Sequence, residues 1–221
     1  MKAAPLGKGY FIVFEGSDGS GKSTQAKLLH RGLSSDGYDS VLTEEPGGTV
    51  VGREIRNLLL NPEFKLSPKA ELFLFLADRA EHLHKVVRPH LKAGKVVVCS
   101  RYFYSTLVYQ GIARNLAPLD YLEELNLFSV DAIQPELVFY LDIHPEEGLS
   151  KAKGSKVKAY HTNGGDRIEQ EGVEFQKRVR EGYLTLFSGN PEKFVVLDGS
   201  KSIDDIGRAV YLEAKRRLNL D

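Results

Sequence analysis

The sequence predicts an α/β fold, a parallel β-sheet of about five strands flanked by helices on both faces. Two patterns carry this expectation. Short runs rich in Val, Ile and Phe alternate along the chain with longer stretches of helical periodicity. The first apolar run also feeds a glycine-rich loop that opens directly into a helical pattern. Length sets the scale: 221 residues without repeat or linker suit one domain, 1–221. Such a chain buries roughly 70% of its unfolded surface.

Taken in order, Tyr10 to Glu15 reads as a buried parallel strand. Gly16-Ser-Asp-Gly-Ser-Gly-Lys-Ser23 follows, with Thr24 next, and Ala26, Leu28, Leu29 and Leu33 mark the first helix. Asp39 to Thr43 is a short strand running into Glu44-Glu-Pro-Gly-Gly48, and a helix spans Val50 to Leu60. A longer helix opens at Ser67-Pro68, with serine as cap and proline in the first turn. Pro89 should kink or end it. Lys95 to Cys99 is the next strand, Tyr104 to Gln110 begins a helix, and Leu119 to Phe128 forms another. Leu137 to Leu141 is a strand and Pro145 to Ala152 a short helix. A basic, glycine-containing insertion, Lys151 to Gly165, interrupts the alternation. The chain ends with a helix from Ile168 to Phe187, a strand from Phe194 to Leu197 and a helix from Ile203 to Leu218.

The string from Gly16 to Ser23 satisfies G-x-x-x-x-G-K-[ST] between a strand and a helix, the context that makes it a phosphate site. Gly16, Gly19 and Gly21 let successive backbone N–H groups converge on one anion, and the helix N-terminus adds partial positive charge. Ser17, Asp18 and Ser20 fill the loop. Lys22 should reach the β- and γ-phosphates, and the Ser23 hydroxyl should ligate Mg²⁺. The motif therefore predicts binding of a nucleoside triphosphate.

Composition excludes some classes of partner. Thirty Lys and Arg balance 30 Asp and Glu, so no global field argues for nucleic acid or an anionic membrane. Cys99, the single cysteine, precludes an internal disulfide framework and fits a reducing compartment. Met1 to Gly9 carries Lys2 and Lys8 but no apolar signal segment, and no run approaches membrane-spanning length. The expected location is the cytoplasm.

Strand ends in such sheets collect ligands. Here they are Glu15-Gly16, Glu44-Glu45, Ser100-Arg101 and Asp142, grouped around the phosphate loop. Arg53, Arg56, Arg79 and Arg101 are candidates to hold a second anion, since a guanidinium binds phosphate through paired hydrogen bonds. Arg53 on its own reads as a solvated surface residue. Phe75 and Arg79 lie one helical turn apart, within reach of one flat ligand. Phe75 also sits in Leu72-Phe-Leu-Phe-Leu76, an apolar stretch that by pattern alone reads as core and hints at packing against a second subunit.

Five blocks now stand in order: residues 14–25 around the phosphate loop, Glu-Pro-Gly-Gly-Thr (45–49), Phe-Leu-Ala-Asp-Arg (75–79), Arg-Tyr…Ser-Thr…Tyr-Gln-Gly (101–111) and Asp-Arg-Ile-Glu (166–169). Together they resemble bacterial thymidylate kinase, of the P-loop nucleoside monophosphate kinase superfamily. The resemblance implies ATP-dependent phosphorylation of dTMP with Mg²⁺ in a homodimer. It places Phe75 on the thymine ring, Arg79 at a thymine carbonyl and Gln110 at the Watson–Crick edge. Ser105 and Thr106 line the base pocket, and Tyr109 crowds the sugar. Arg56 and Arg101 hold the dTMP phosphate. Asp18 lies near sugar and metal, Glu45 on the dTMP side, and Arg167 at the donor phosphates.

The chain departs from that pattern at two places. The family motif is Asp-Arg-Tyr where this chain reads Ser100-Arg101-Tyr102, which implies an altered metal shell. One branch of the family carries an arginine at the position of Gly19, and the other takes its cations from a lid. The lid here, about 150–167, supplies Lys151, Lys153, Lys156 and Lys158 where arginines are usual. Three other readings stay open: a P-loop kinase of another small nucleotide or deoxynucleoside, a weakened thymidine-nucleotide-binding relative, and a nucleotide-dependent switch. For the last, a guanine-specifying Asn-Lys-x-Asp is absent.

Overall fold

The structure, a computed structural model, describes residues 8–154, 166–189 and 192–219. The first seven residues, read above for a signal segment, lie outside the described residues, as do Lys156, Lys158 and the side chain of Lys153. Five strands form one parallel sheet: β1 (Tyr10–Glu15), β2 (Ser40–Glu44), β3 (Val96–Ser100), β4 (Leu137–Asp142) and β5 (Phe194–Asp198). Their spatial order is β2-β3-β1-β4-β5. β1 is therefore central, and the loop after it emerges where strand order reverses, the position at which such sheets bind ligands.

The two-residue period of the strands builds two cores. Phe11, Val13, Val97, Cys99, Val138 and Tyr140 face one side, against Leu72, Leu76, Val179 and Tyr183. Ile12, Phe14, Val96, Val98, Phe139 and Leu141 face the other, against Ala26, Leu29 and Leu33 of α1 (Lys22–Ser35). α9 (Ile203–Leu218) completes that second layer with Ile206, Val210, Ala214 and Leu218. Burial on both faces explains why β1 reads as an unbroken apolar run rather than an alternating one.

α2 (Val50–Leu60) starts where Thr49 accepts a hydrogen bond from the Gly52 N–H at 2.8 Å. α3 (Pro68–His82) starts where Ser67 caps Ala70. Of the two expected outcomes, kink or end, Pro89 does not end this helical stretch. A π-helical turn, Leu83–Val87, hands the chain on to α4 (Arg88–Lys92). Pro89 then falls in the first turn of α4.

The helix expected from Tyr104 is a short α5 (Phe103–Thr106) followed by a π-helical segment, Leu107–Ala113, which carries Tyr109 and Gln110. Such segments often occur at functional positions. α6 (Leu119–Ser129) and α7 (Pro145–Gly154) follow the expectation closely. The helix expected from Ile168 does not: a 3₁₀ turn, Glu169–Glu171, stops at Gly172, and α8 (Val173–Phe187) begins after it. Gly172 has φ +85°, a left-handed conformation no α-helix continues through.

Candidate active site

A cavity of about 410 Å³ opens over the carboxyl ends of the strands. The phosphate loop forms one wall. Lys22 folds back across the loop, donating to the Ser17 carbonyl at 2.6 Å and to Ser20 Oγ at 3.4 Å. Burial and the charge of Arg101 push the Lys22 pKa down to about 7, against the pull of Asp18 and Glu15. Gly19 has φ +75°, and a Cβ there would lie 1.9 Å from the Gly148 carbonyl oxygen. Loop and α7 thus meet backbone to backbone. Asp18, Gly19, Gly21, Lys22, Ser23 and Thr24 line the cavity. Gly16, Ser17 and Ser20 are not among its walls, and support the loop from behind.

Arg101 stands at the end of β3 with φ +71°, unusual for a side chain with a Cβ. Its Nη1 donates to the Gly16 carbonyl at 3.0 Å and to Ser105 Oγ at 3.1 Å. Its Nη2 donates to Asp18 Oδ1 at 2.5 Å and to the Tyr109 hydroxyl at 3.2 Å. The guanidinium also lies 5.1 Å from the centre of the Tyr109 ring. Burial acts to raise the Asp18 pKa, but Arg101 and Lys22 outweigh it and hold that carboxyl below the usual range.

Glu15 stabilises this strained turn. Its Oε1 accepts from the backbone N–H of Tyr102 at 3.0 Å and of Ser105 at 3.2 Å. Its Oε2 accepts from Ser105 Oγ at 2.7 Å and the Tyr183 hydroxyl at 2.9 Å. Burial raises the Glu15 pKa, with Arg101 and these hydrogen bonds opposing.

The far end of the cavity is lined by Phe75, Ser105, Thr106, Tyr109 and Gln110. Arg56 reaches it from α2, donating to the Pro46 carbonyl at 2.6 Å and standing 3.6 Å from Glu44. Glu45 lines the cavity too, but its oxygens are engaged by Arg79 Nε and His82 Nδ1, each at 2.8 Å. One cavity therefore joins a phosphate loop, a strand-tip arginine and an aromatic slot.

The sequence matches the thymidylate kinase family profile across residues 14–210. This chain belongs to that family. It is 42% identical to a thymidylate kinase of Halothermothrix orenii over 208 residues, covering 94% of this chain and 97% of that one. A thymidylate kinase of a Synechococcus species is 41% identical over 208 residues, with 94% and 96% covered. One from Carboxydothermus hydrogenoformans is 42% identical over 199 residues, with 90% and 93% covered. The fold is accordingly that of the P-loop nucleoside monophosphate kinases.

Two residues that the family resemblance assigns to ligands are placed elsewhere. Arg79 is 2% exposed and not in the cavity wall. Besides Glu45 it donates to Thr106 Oγ1 at 2.9 Å, Asn126 Oδ1 at 2.5 Å and the Tyr102 carbonyl at 3.2 Å. α3 turns it into the protein, where its fork joins the loop after β2, α5 and α6. Arg167 likewise does not line the cavity. Its Nε donates to the Leu59 carbonyl at 2.8 Å, and its Nη2 pairs with Glu71 Oε2 at 2.5 Å. The Asp-Arg-Ile-Glu block instead gives Asp166, Ile168 and Glu169 to the cavity wall. Burial and the charge of Asp18 raise the Asp166 pKa to about 6. Arg53 is exposed on α2.

Ser100 has its Oγ 3.4 Å from Ser23 Oγ, and both line the cavity. Lys151 also lines it, paired with Glu147 at 2.7 Å. Glu71 and Tyr183 were not identified from sequence, and Glu15 only as a strand end. Glu71 had a usable signal: it lies four residues before Phe75 and eight before Arg79, on one stripe of α3.

Proposed function

We propose that this cavity sets ATP and dTMP end to end, so that the γ-phosphate passes to dTMP and leaves dTDP and ADP. The observation carrying the reading is that Lys22, Arg101 and Phe75 all bound one cavity. Phosphoryl transfer asks the protein for alignment and charge compensation above all. The acceptor phosphate, with a second pKa of about 6, needs no general base. The loop from Gly16 to Thr24 cradles the donor phosphates, with Lys22 released from Ser17 to meet them. Arg101 and Arg56 take the acceptor phosphate, Asp18 orients Arg101, and Tyr109 restricts the sugar. Phe75 stacks on the base, with Gln110 at its edge and Ser105, Thr106 and Glu45 completing the pocket. Arg79 and Arg167 act by holding these walls in place.

Magnesium fits the donors available. Ser23 and Ser100 present two hydroxyls 3.4 Å apart on the wall that also bears Asp18. Among the described residues no cluster of three or more His, Cys, Asp or Glu forms a metal cage. A cation that keeps waters and takes phosphate oxygens asks for such a sparse set. Ser23 would hold it, and Ser100 can hydrogen-bond one of its waters. When bound, the ion neutralises charge on the β- and γ-phosphate oxygens.

The chain is read as one domain, 1–221, with a lid segment at about 150–167, of which 155–165 lie outside the described residues. It works as a homodimer in the cytoplasm. Exposed apolar residues on neighbouring helices, Phe73 on α3 and Val51 and Leu58 on α2, support an apolar subunit contact. Among the described residues no helix is long and apolar enough to cross a membrane. The deciding experiment measures ADP release from ATP and Mg²⁺ with dTMP, dUMP, CMP, AMP and thymidine offered separately. Release with dTMP well above the other acceptors is expected. Binding of dTMP without ADP release would point instead to a weakened relative, a reading favoured only by Ser100.

A further inference from the structure

Glu71 lies on α3 one turn before Phe75 and is 1% exposed. Its Oε1 accepts from Gln110 Nε2 at 2.7 Å and from Arg114 Nε at 2.8 Å. Its Oε2 accepts from Arg114 Nη2 at 3.3 Å and pairs with Arg167 Nη2 at 2.5 Å. Burial alone would raise the Glu71 pKa. The Gln110 hydrogen bond and the charges of Arg114 and Arg167 outweigh it, and the carboxyl titrates below the usual range. Glu71 is therefore an anion with acceptor sites only.

That fixes a question a glutamine usually leaves open. A carboxamide has a donor end and an acceptor end of nearly identical shape, and either can face a ligand. The end of Gln110 turned to an ionised carboxylate has to be the NH₂. Gln110 also lines the cavity, so its carbonyl oxygen is the end left for a ligand. The π-helical segment carrying Gln110 is tied to the same carboxylate by Arg114, which immediately follows it and is itself braced by Glu171 at 2.7 Å.

We propose that Glu71 is a positioning residue for base selection: by holding Gln110 Nε2 it commits the Gln110 carbonyl oxygen to the cavity as an acceptor. The pocket then takes a pyrimidine whose ring N3 bears a hydrogen, as in thymine and uracil. It refuses one whose N3 is a lone-pair acceptor, as in cytosine, because two acceptors would face each other without a proton between them. This rests on the reading of the cavity as a dTMP site, and assigns the origin of its selectivity to a residue that touches no base.

The test compares the intact enzyme with Glu71→Gln, using dTMP, dCMP and N3-methyl-dTMP as acceptors. The variant replaces an obligate acceptor with an amide, so Gln110 is free to turn over. The unaltered enzyme is expected to favour dTMP over both analogues in kcat/KM by on the order of a hundredfold. E71Q is expected to lose about tenfold or more of that preference, mainly through the KM for dTMP. A folded E71Q that keeps the full preference overturns the proposal. Should E71Q fail to fold, the Gln110 side-chain amide signal of the ¹⁵N-glutamine-labelled unaltered enzyme decides, assigned with Gln110→Leu. That NH₂ signal is expected to hold its position when dTMP binds, and a large shift overturns the proposal. Equal affinity of the unaltered enzyme for dTMP and dCMP overturns the proposal alone. Absence of dTMP binding altogether overturns the cavity reading as well.

Discussion

Arg101 Nη2 sits 2.5 Å from Asp18 Oδ1, so the tip of β3 and the phosphate loop are joined by one charge pair. The same guanidinium reaches the Gly16 carbonyl, Ser105 and Tyr109. A lysine offers a point charge without the fork and cannot meet these partners together. Arg101→Lys is expected to lower kcat with dTMP by on the order of 10²–10³ while the protein still folds. Steady-state kinetics with a thermal melt checks both parts.

Lys22 gives a proton-linkage prediction. With its pKa near 7 without nucleotide, part of the population is neutral at pH 8. Triphosphate oxygens beside the amine favour the charged form and raise that pKa, so ATP binding should take up protons at pH 8. Titration calorimetry in two buffers of different ionisation enthalpy measures the uptake. It should diminish at pH 6, where Lys22 is already charged, and vanish in Lys22→Met.

Ser100 stands 3.4 Å from the hydroxyl expected to ligate Mg²⁺ and brings no charge. Ser100→Asp restores a carboxylate beside that position. The variant is expected to reach half-maximal activity at roughly tenfold lower Mg²⁺, the scale on which outer partners tune metal affinity. A Mg²⁺ titration of both enzymes at fixed ATP and dTMP reads this directly. Identical curves would remove Ser100 from the metal shell.

Asp78 links the buried cluster to pH. Burial and the charge of Glu45 push its pKa up to about 7, against the Gly47 N–H that it accepts at 3.0 Å and against His82 and Arg79. Its ordinary value is 3.8, so between that pH and 7 the folded chain keeps a proton that the unfolded chain has released. Stability from this group is thus present at low pH and lost as pH rises through the folded value. Asp78→Asn mimics the protonated form. It is expected to raise Tm relative to the native protein at pH 8 and to make no difference below pH 4.

The sheet and the phosphate loop were legible because their signals are local. The strand before Gly16 is apolar on both faces, and the loop string has one geometry that satisfies it. Helix ends that depend on backbone angle were less legible: Gly172 breaks the helix before α8, while Pro89 is absorbed by a π turn. Side-chain direction was the main loss. Arg79 and Arg167 are cations in the right blocks, yet each meets a buried carboxylate, Glu45 or Glu71, that sequence spacing did not reveal. Glu15 was legible as a strand end but not as the residue that fixes the turn bearing Arg101, since its partners lie 87 to 168 residues away.

The meeting of Gly19 with Gly148 limits what the phosphate loop can carry at position 19. A Cβ on Gly19 would strike the Gly148 carbonyl oxygen, and one on Gly148 would come within 2.7 Å of the Asp18 carbonyl. An arginine introduced at Gly19 alone would therefore wedge the loop away from α7. Loop and α7 can be altered at this contact only together, as one cassette.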